Sequence, residues 1–94
     1  MTDQELARAL RSLKRTVLML QTELRHEHVD EGLIDAIDQQ LERGIASDPR
    51  CEGLRAHVDA LREDIMTPRE ELIRDALRAC DRLNDAVEGV LALL

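Results

Sequence analysis

The sequence lacks phenylalanine, tyrosine and tryptophan altogether. Because aromatic side chains each bury about 150–250 Å², the hydrophobic core has to be built from Leu, Ile, Val, Ala and Met instead. A chain of 94 residues also buries only about 60–65% of its unfolded surface. We therefore expect a marginal core, for which association with a second copy or with another protein is the common remedy.

Several other features are scarce, and each absence excludes a class of protein. The net charge of −7 argues against binding to nucleic acid or to an anionic membrane. No apolar run approaches the 18 residues of a membrane span, and no basic and apolar leader opens the chain. Two cysteines do not make a disulfide framework, so the prediction is a cytoplasmic protein. Lys14 is the only lysine among 13 basic residues, which is typical of a GC-rich bacterial or phage genome.

Helix start and stop signals divide the chain into four segments. Residues that favour the N-terminus of a helix occur at four places, namely Thr2 with Glu5, Asp30, Asp48 with Pro49, and Thr67 with Pro68 and Glu70. Gly44, followed by the apolar Ile45, is a typical helix stop. These signals predict helices near residues 3–28, 31–45, 49–66 and 68–93, with short connections.

Apolar residues recur at helical spacing within these segments. The first helix carries a seam with a 4-3-4-3-4 spacing, made of Leu6, Leu10, Leu13, Val17, Leu20 and Leu24. The third helix carries a similar seam, and the fourth has two adjacent stripes that require more than one neighbour. The pattern predicts one all-α domain over residues 1–94, a small antiparallel bundle of about four helices with the fourth at its centre.

The predicted helices differ in length, two being long and two short. At 1.5 Å per residue the long pair extends about 39 Å and the short pair about 22–27 Å. The short helices cannot cover both long seams along their whole length, so either a dimer or another protein should cover the exposed ends. We therefore expect a homodimer.

The outer face of the first helix has a definite charge. Opposite the leucine seam lies a basic arc without acidic residues, made of Arg8, Arg11, Lys14, Arg15, Arg25 and His26. Leu18 and Met19 lie inside this basic arc, where a monomer would present polar groups. The second helix carries the complementary acidic stripe of Glu31, Asp35, Asp38 and Glu42. Segregated charge of this kind steers an interface, although a solvated surface explains most charge runs.

Residues that could carry chemistry are sparse. The sequence has no nucleophile and base at a recognisable spacing and no glycine-rich phosphate loop, so we expect no enzymatic activity and no resident cofactor. Cys51, His57 and Cys80 could form a metal site between helices. Both cysteines, however, occupy apolar seam positions, where cysteine is ordinarily a small hydrophobic residue.

Two functional interpretations follow from these patterns. The first is a non-enzymatic protein-interaction module of the adaptor, co-chaperone, anti-activator or inhibitor type, which docks through helix faces on a second copy or on another protein. The alternative is a sensor of a metal or a small ligand, using either the group Cys51, His57 and Cys80 or the basic arc.

Overall fold

A computed structural model describes residues 1–67 and 70–94, and these form a four-helix arrangement without strands. The helices are α1 (Asp3–Arg25), α2 (Glu31–Gln40), α3 (Glu52–Met66) and α4 (Leu72–Leu91). The prediction of a small all-α bundle is confirmed. Every helix in the described ranges is too short or too polar to cross a lipid bilayer.

Three of the four predicted helix starts are capped by the expected side chain. The Thr2 hydroxyl accepts a hydrogen bond from the Glu5 amide at 3.1 Å, and Asp30 accepts one from the amide of Leu33 at 3.2 Å. Asp48 accepts one from the amide of Arg50 at 2.8 Å, at the start of a 3₁₀ turn that leads into α3. The fourth predicted start includes residues 68 and 69, which lie outside the described residues, and α4 begins at Leu72.

The stop predicted at Gly44 is present. α2 passes into a wide turn over Leu41–Ile45, and helical geometry ends at Arg43 and Gly44. Gly44 has a φ of +108°, a conformation that residues with a Cβ rarely adopt. Ile45 then turns back into the core with none of its surface exposed.

Ion pairs and hydrogen bonds between the helices show the relative direction of two helix pairs. From α1 to α4, Lys14 pairs with Glu88 and Gln21 bonds to Asp81, so residue numbers rise on α1 as they fall on α4. From α2 to α3, Asp35 and Asp38 pair with Arg62, while Asp38 and Glu42 pair with Arg55. Both helix pairs are therefore antiparallel, as predicted.

The packing of the core explains how the short helices bury the whole seam of α1. α2 and the wide turn pack against α1, and α4 contacts both α1 and α3, which agrees with its predicted central place. Leu41 and Ile45 of the wide turn and Cys51 of the 3₁₀ turn are buried with the helices. These apolar turns extend the cover of α1, so every residue of its seam is at most 1% exposed in one chain. For α1, the expectation that unequal helix lengths leave the seam open is wrong, whereas Leu93 and Leu94 at the end of the predicted α4 stripes are exposed.

Candidate functional site

The exposed face of α1 places the basic arc at the surface. Because the leucine seam faces the core, the opposite residues of the same helix face water. Arg8, Arg11, Arg15 and Arg25 are all exposed, and Lys14 is half-buried. The arc is thus a real surface feature of the fold.

Leu18 and Met19 lie within this surface and outside the core. Leu18 is 46% exposed and Met19 is 53% exposed. Large apolar side chains at this degree of exposure mark docking surfaces when they are grouped together with polar residues around them. Neither side chain is buried in the core of the chain.

A groove runs between α1 and the C-terminal half of α4 beside these residues. We call it the α1–α4 groove; its volume is about 480 Å³, and it is lined by Arg11, Lys14, Arg15, Leu18, Glu88 and Leu91. A second depression of about 440 Å³ continues it towards the start of α1, and the two share Arg11 and Leu91. The structure therefore brings four predicted site residues together, with apolar side chains contributed by both helices.

The basic side chains of the arc differ in whether they form an ion pair with a carboxylate. Lys14 forms an ion pair with Glu88 across the groove. Among the described residues, by contrast, no ion pair involves Arg8, Arg11, Arg15 or Arg25. The α1–α4 groove thus keeps two uncompensated guanidinium groups, those of Arg11 and Arg15, in a chain whose net charge is −7.

Three members of the basic arc, Arg8, Arg25 and His26, lie outside the groove. Arg8 and Met19 share an exposed face of α1 with Arg15, since they lie seven residues before it and four residues after it on the helix. Arg25 is the last residue of α1 and lies towards the opposite end of the bundle. His26 follows the helix, and its ring Nδ1 is 2.9 Å from the Thr22 carbonyl oxygen.

The acidic stripe of α2 is engaged inside the chain. Asp38 accepts hydrogen bonds from Arg55 at 2.8 Å and from Arg62 at 2.9 Å, and Glu42 also pairs with Arg55. Hydrogen bonding from Arg55, supported by Arg62, lowers the pKa of the Asp38 carboxyl below its ordinary value. Asp35 lies 3.7 Å from Arg62. Most of the acidic stripe therefore holds α3 against α2, a use that the sequence interpretation did not foresee.

Glu31, the remaining member of the stripe, is exposed at the start of α2. It lines a small cleft of about 130 Å³ together with Ile34, Asp35, Arg62 and Met66. None of the four acidic residues lines the α1–α4 groove. The two charged surfaces therefore do not meet within one chain.

The cysteines are core residues, as their seam positions indicate. Cys51 is 1% exposed and Cys80 is fully buried, and both are free thiols. Burial raises the pKa of Cys51, and it raises the pKa of Cys80 to about 12. In the described part of the chain, no three His, Cys, Asp or Glu side chains lie close enough to hold a metal ion, so Cys51, His57 and Cys80 are not brought together.

A buried polar contact between α1 and α4 was missed by sequence reasoning. Gln21 is 2% exposed and Asn84 is 8% exposed. The Gln21 side-chain amide donates to Asp81 Oδ1 at 2.7 Å, and Asn84 Nδ2 donates weakly to Gln21 Oε1 at 3.4 Å. A signal was available, because one apolar stripe of α4 skips from Cys80 to Val87 and Asn84 fills the missing 4-3 position.

A larger groove of about 590 Å³ lies at the other end of the bundle, beside the start of α4. Ile73 and Leu77 form its apolar part, and its rim carries both signs of charge, including Glu27, Arg78 and Asp81. Arg74 on this rim is paired with Glu71. Four carboxylates and two guanidinium groups line this groove, so its excess charge is negative. The α1–α4 groove has a cationic excess and holds four of the predicted site residues, which makes it the candidate site.

Comparisons of the chain with family models, with curated proteins and with solved structures give no match.

Proposed function

We propose that this protein is a non-enzymatic protein-interaction module that docks through the exposed face of α1. The observation that carries the proposal is the pair Leu18 and Met19, each about half exposed inside a cationic surface. Burying the exposed halves of two such side chains contributes about 2 kcal/mol. The surrounding arginines supply direction and orientation to the encounter.

The proposal includes self-association, but the reason for it is not the unequal length of the helices. The α1 seam is covered in a single chain, so this seam does not need a second copy. A homodimer would instead use the face that contains Leu18 and Met19. The partner is therefore either a second copy or a different protein, and both compete for one surface.

Both cysteines are free, which supports a reducing compartment such as the cytoplasm as the place of action.

A second candidate function is the binding of a small anionic molecule. The α1–α4 groove has a volume within the range of ligand sites, about 300–1,000 Å³, and it carries Arg11, Lys14 and Arg15. Native mass spectrometry of the purified protein tests this candidate directly. A copurified phosphate-bearing molecule that disappears in Arg15→Glu would favour it over protein docking.

The docking proposal is tested by Met19→Glu, with Met66→Glu as the matched control. Met66 is 67% exposed at the end of α3 and far in sequence from the α1 face. Because an unpaired charge in a desolvated contact is costly, Met19→Glu should abolish binding while the helical circular dichroism signal persists. Met66→Glu should bind like the wild type.

Binding is measured in two ways with the purified chain. Light scattering over a wide dilution series reports self-association, and affinity capture followed by reconstitution with the purified captured protein reports a different partner. If Met19→Glu unfolds the chain, or binds as well as Met66→Glu does in both assays, the proposal is wrong.

A further inference from the structure

We propose that the occupant of the α1–α4 groove is an acidic amphipathic helix of another protein. This inference rests on the proposed function and deepens it by stating the chemistry of the partner. The groove carries positive charge that no carboxylate among the described residues neutralises. Arg50, Arg55, Arg62 and Arg74 are each paired with a carboxylate of this chain, whereas Arg11 and Arg15 are not.

One carboxylate already lies in the groove and shows the kind of group it accepts. Glu88 of α4 reaches across to Lys14 of α1. The flanking guanidinium groups of Arg11 and Arg15 have planar donor sets that match further carboxylates. Leu18 and Leu91 supply the apolar contact beside them. An occupant with carboxylates next to an apolar face satisfies both requirements.

A second copy of the chain is a poor source of free carboxylates beside an apolar face. Its acidic stripe on α2 is the natural complement, but Asp38 and Glu42 of that stripe are paired with Arg55 in the same chain. A symmetric contact between two α1 faces would instead bring two sets of arginines into one interface, which like-charge repulsion opposes. The charges therefore favour a different protein.

The dimensions of the groove indicate the length and spacing of the partner segment. With its continuation, the groove extends along α1 from Asp3 to Leu18, a rise of about 22 Å at 1.5 Å per residue. This length suits a partner helix of about four turns. Arg11 and Arg15 lie one turn apart, so the matching carboxylates are expected three or four residues apart on the partner.

The test uses three fluorescein-labelled helical peptides of about fifteen residues as probes. One carries two glutamates four residues apart beside a leucine face; the others replace both glutamates with glutamine or with lysine. Fluorescence anisotropy should show that the glutamate peptide binds at least about tenfold more tightly than the glutamine peptide, and that added salt weakens its binding.

Charge variants of the protein locate the site. Arg11→Glu with Arg15→Glu should weaken the glutamate peptide by at least about tenfold, whereas the control Arg43→Glu with Arg82→Glu, which makes the same change in net charge on exposed residues outside the groove, should not. Glu88→Gln should strengthen binding because it frees Lys14, whereas Glu63→Gln on the exposed surface of α3 should leave the affinity unchanged.

Several outcomes would overturn the inference. These are no binding of the glutamate peptide, equal binding of the glutamine peptide, an equal loss in the control pair, or tighter binding of a single-stranded oligonucleotide or an anionic phospholipid vesicle. Salt-insensitive self-association through the α1 face would also overturn it. The proposed function is tested separately. It is wrong if Met19→Glu keeps its protein partner, whatever the charge of that partner.

Discussion

The contact between Gln21 and Asn84 gives a sharp energetic prediction for the fold. In the wild type, Asn84 Oδ1 is buried without a hydrogen-bond partner, and Asn84 Nδ2 bonds only weakly to Gln21. Replacing Gln21 with leucine removes that acceptor and the bond to Asp81. A buried polar group that loses its partner costs about 1–3 kcal/mol, and the lost bond to a carboxylate about 1.5 kcal/mol.

The new leucine offsets part of this cost, because burying it contributes about 1.5–3 kcal/mol. Gln21→Leu should therefore lower the free energy of unfolding by about 1–2 kcal/mol. Adding Asn84→Val removes Asn84 Oδ1 and Nδ2, two buried atoms whose hydrogen bonds are missing or weak, at almost no cost in helix propensity. The double variant should regain at least the wild-type stability, since a half-satisfied polar contact is worse than an apolar one.

Urea unfolding followed by far-ultraviolet circular dichroism measures both effects, because the chain has no tryptophan or tyrosine for fluorescence. At a slope of about 1 kcal/mol per molar urea, the transition midpoint of Gln21→Leu should fall by about 1–2 M. A neutral Gln21→Leu, or a double variant less stable than that single variant, would refute this assignment of the polar contact.

Three further predictions concern the core and the pairing of α2 with α3. Ala79→Leu, at a position that is 5% exposed, should destabilise the chain by about 1–3 kcal/mol through overpacking; a neutral result in urea would contradict the burial of α4. Cys51→Ser and Cys80→Ser should each cost about 1–3 kcal/mol, and the wild-type thiols should react with Ellman's reagent only after unfolding, as their raised pKa and burial imply; rapid reaction of the native protein would contradict this. Because the folded-state pKa of Asp38 lies below its ordinary value of 3.8, its ionised form stabilises the fold above that pH, and this contribution disappears as the pH falls through the folded-state value. Asp38→Asn should therefore be less stable than the wild type at neutral pH, with the difference shrinking in acid; a constant difference across the pH range would contradict the ion pairs.

The helical fold was predictable because its signals are local. A cap such as Asp30 and a stop such as Gly44 act within one turn of chain, and the α1 seam depends only on the 3.6-residue period. Exposure of Leu18 and Met19 follows from the same period, since both lie opposite that seam. These features need no knowledge of which helices are neighbours.

The rest depended on contacts between distant segments. The pairing of Asp38 with Arg55 and Arg62 requires α2 and α3 to lie side by side, which charge spacing on one helix does not reveal. The packing of Leu41 and Ile45 against α1 was not predicted, because the length of each helix was equated with the length of the apolar seam that it can bury. Turns contribute to a core when their side chains point inward, as these do.

The most direct measurement of the central claim is photo-crosslinking at position 19, with position 66 as the control. A photoreactive amino acid replaces Met19 or Met66, both of which are exposed, in cells that naturally make the protein. Docking through α1 predicts a discrete crosslinked product from position 19 that position 66 does not give and that Arg11→Glu with Arg15→Glu weakens. The same products from both positions, or no product from position 19, would contradict it.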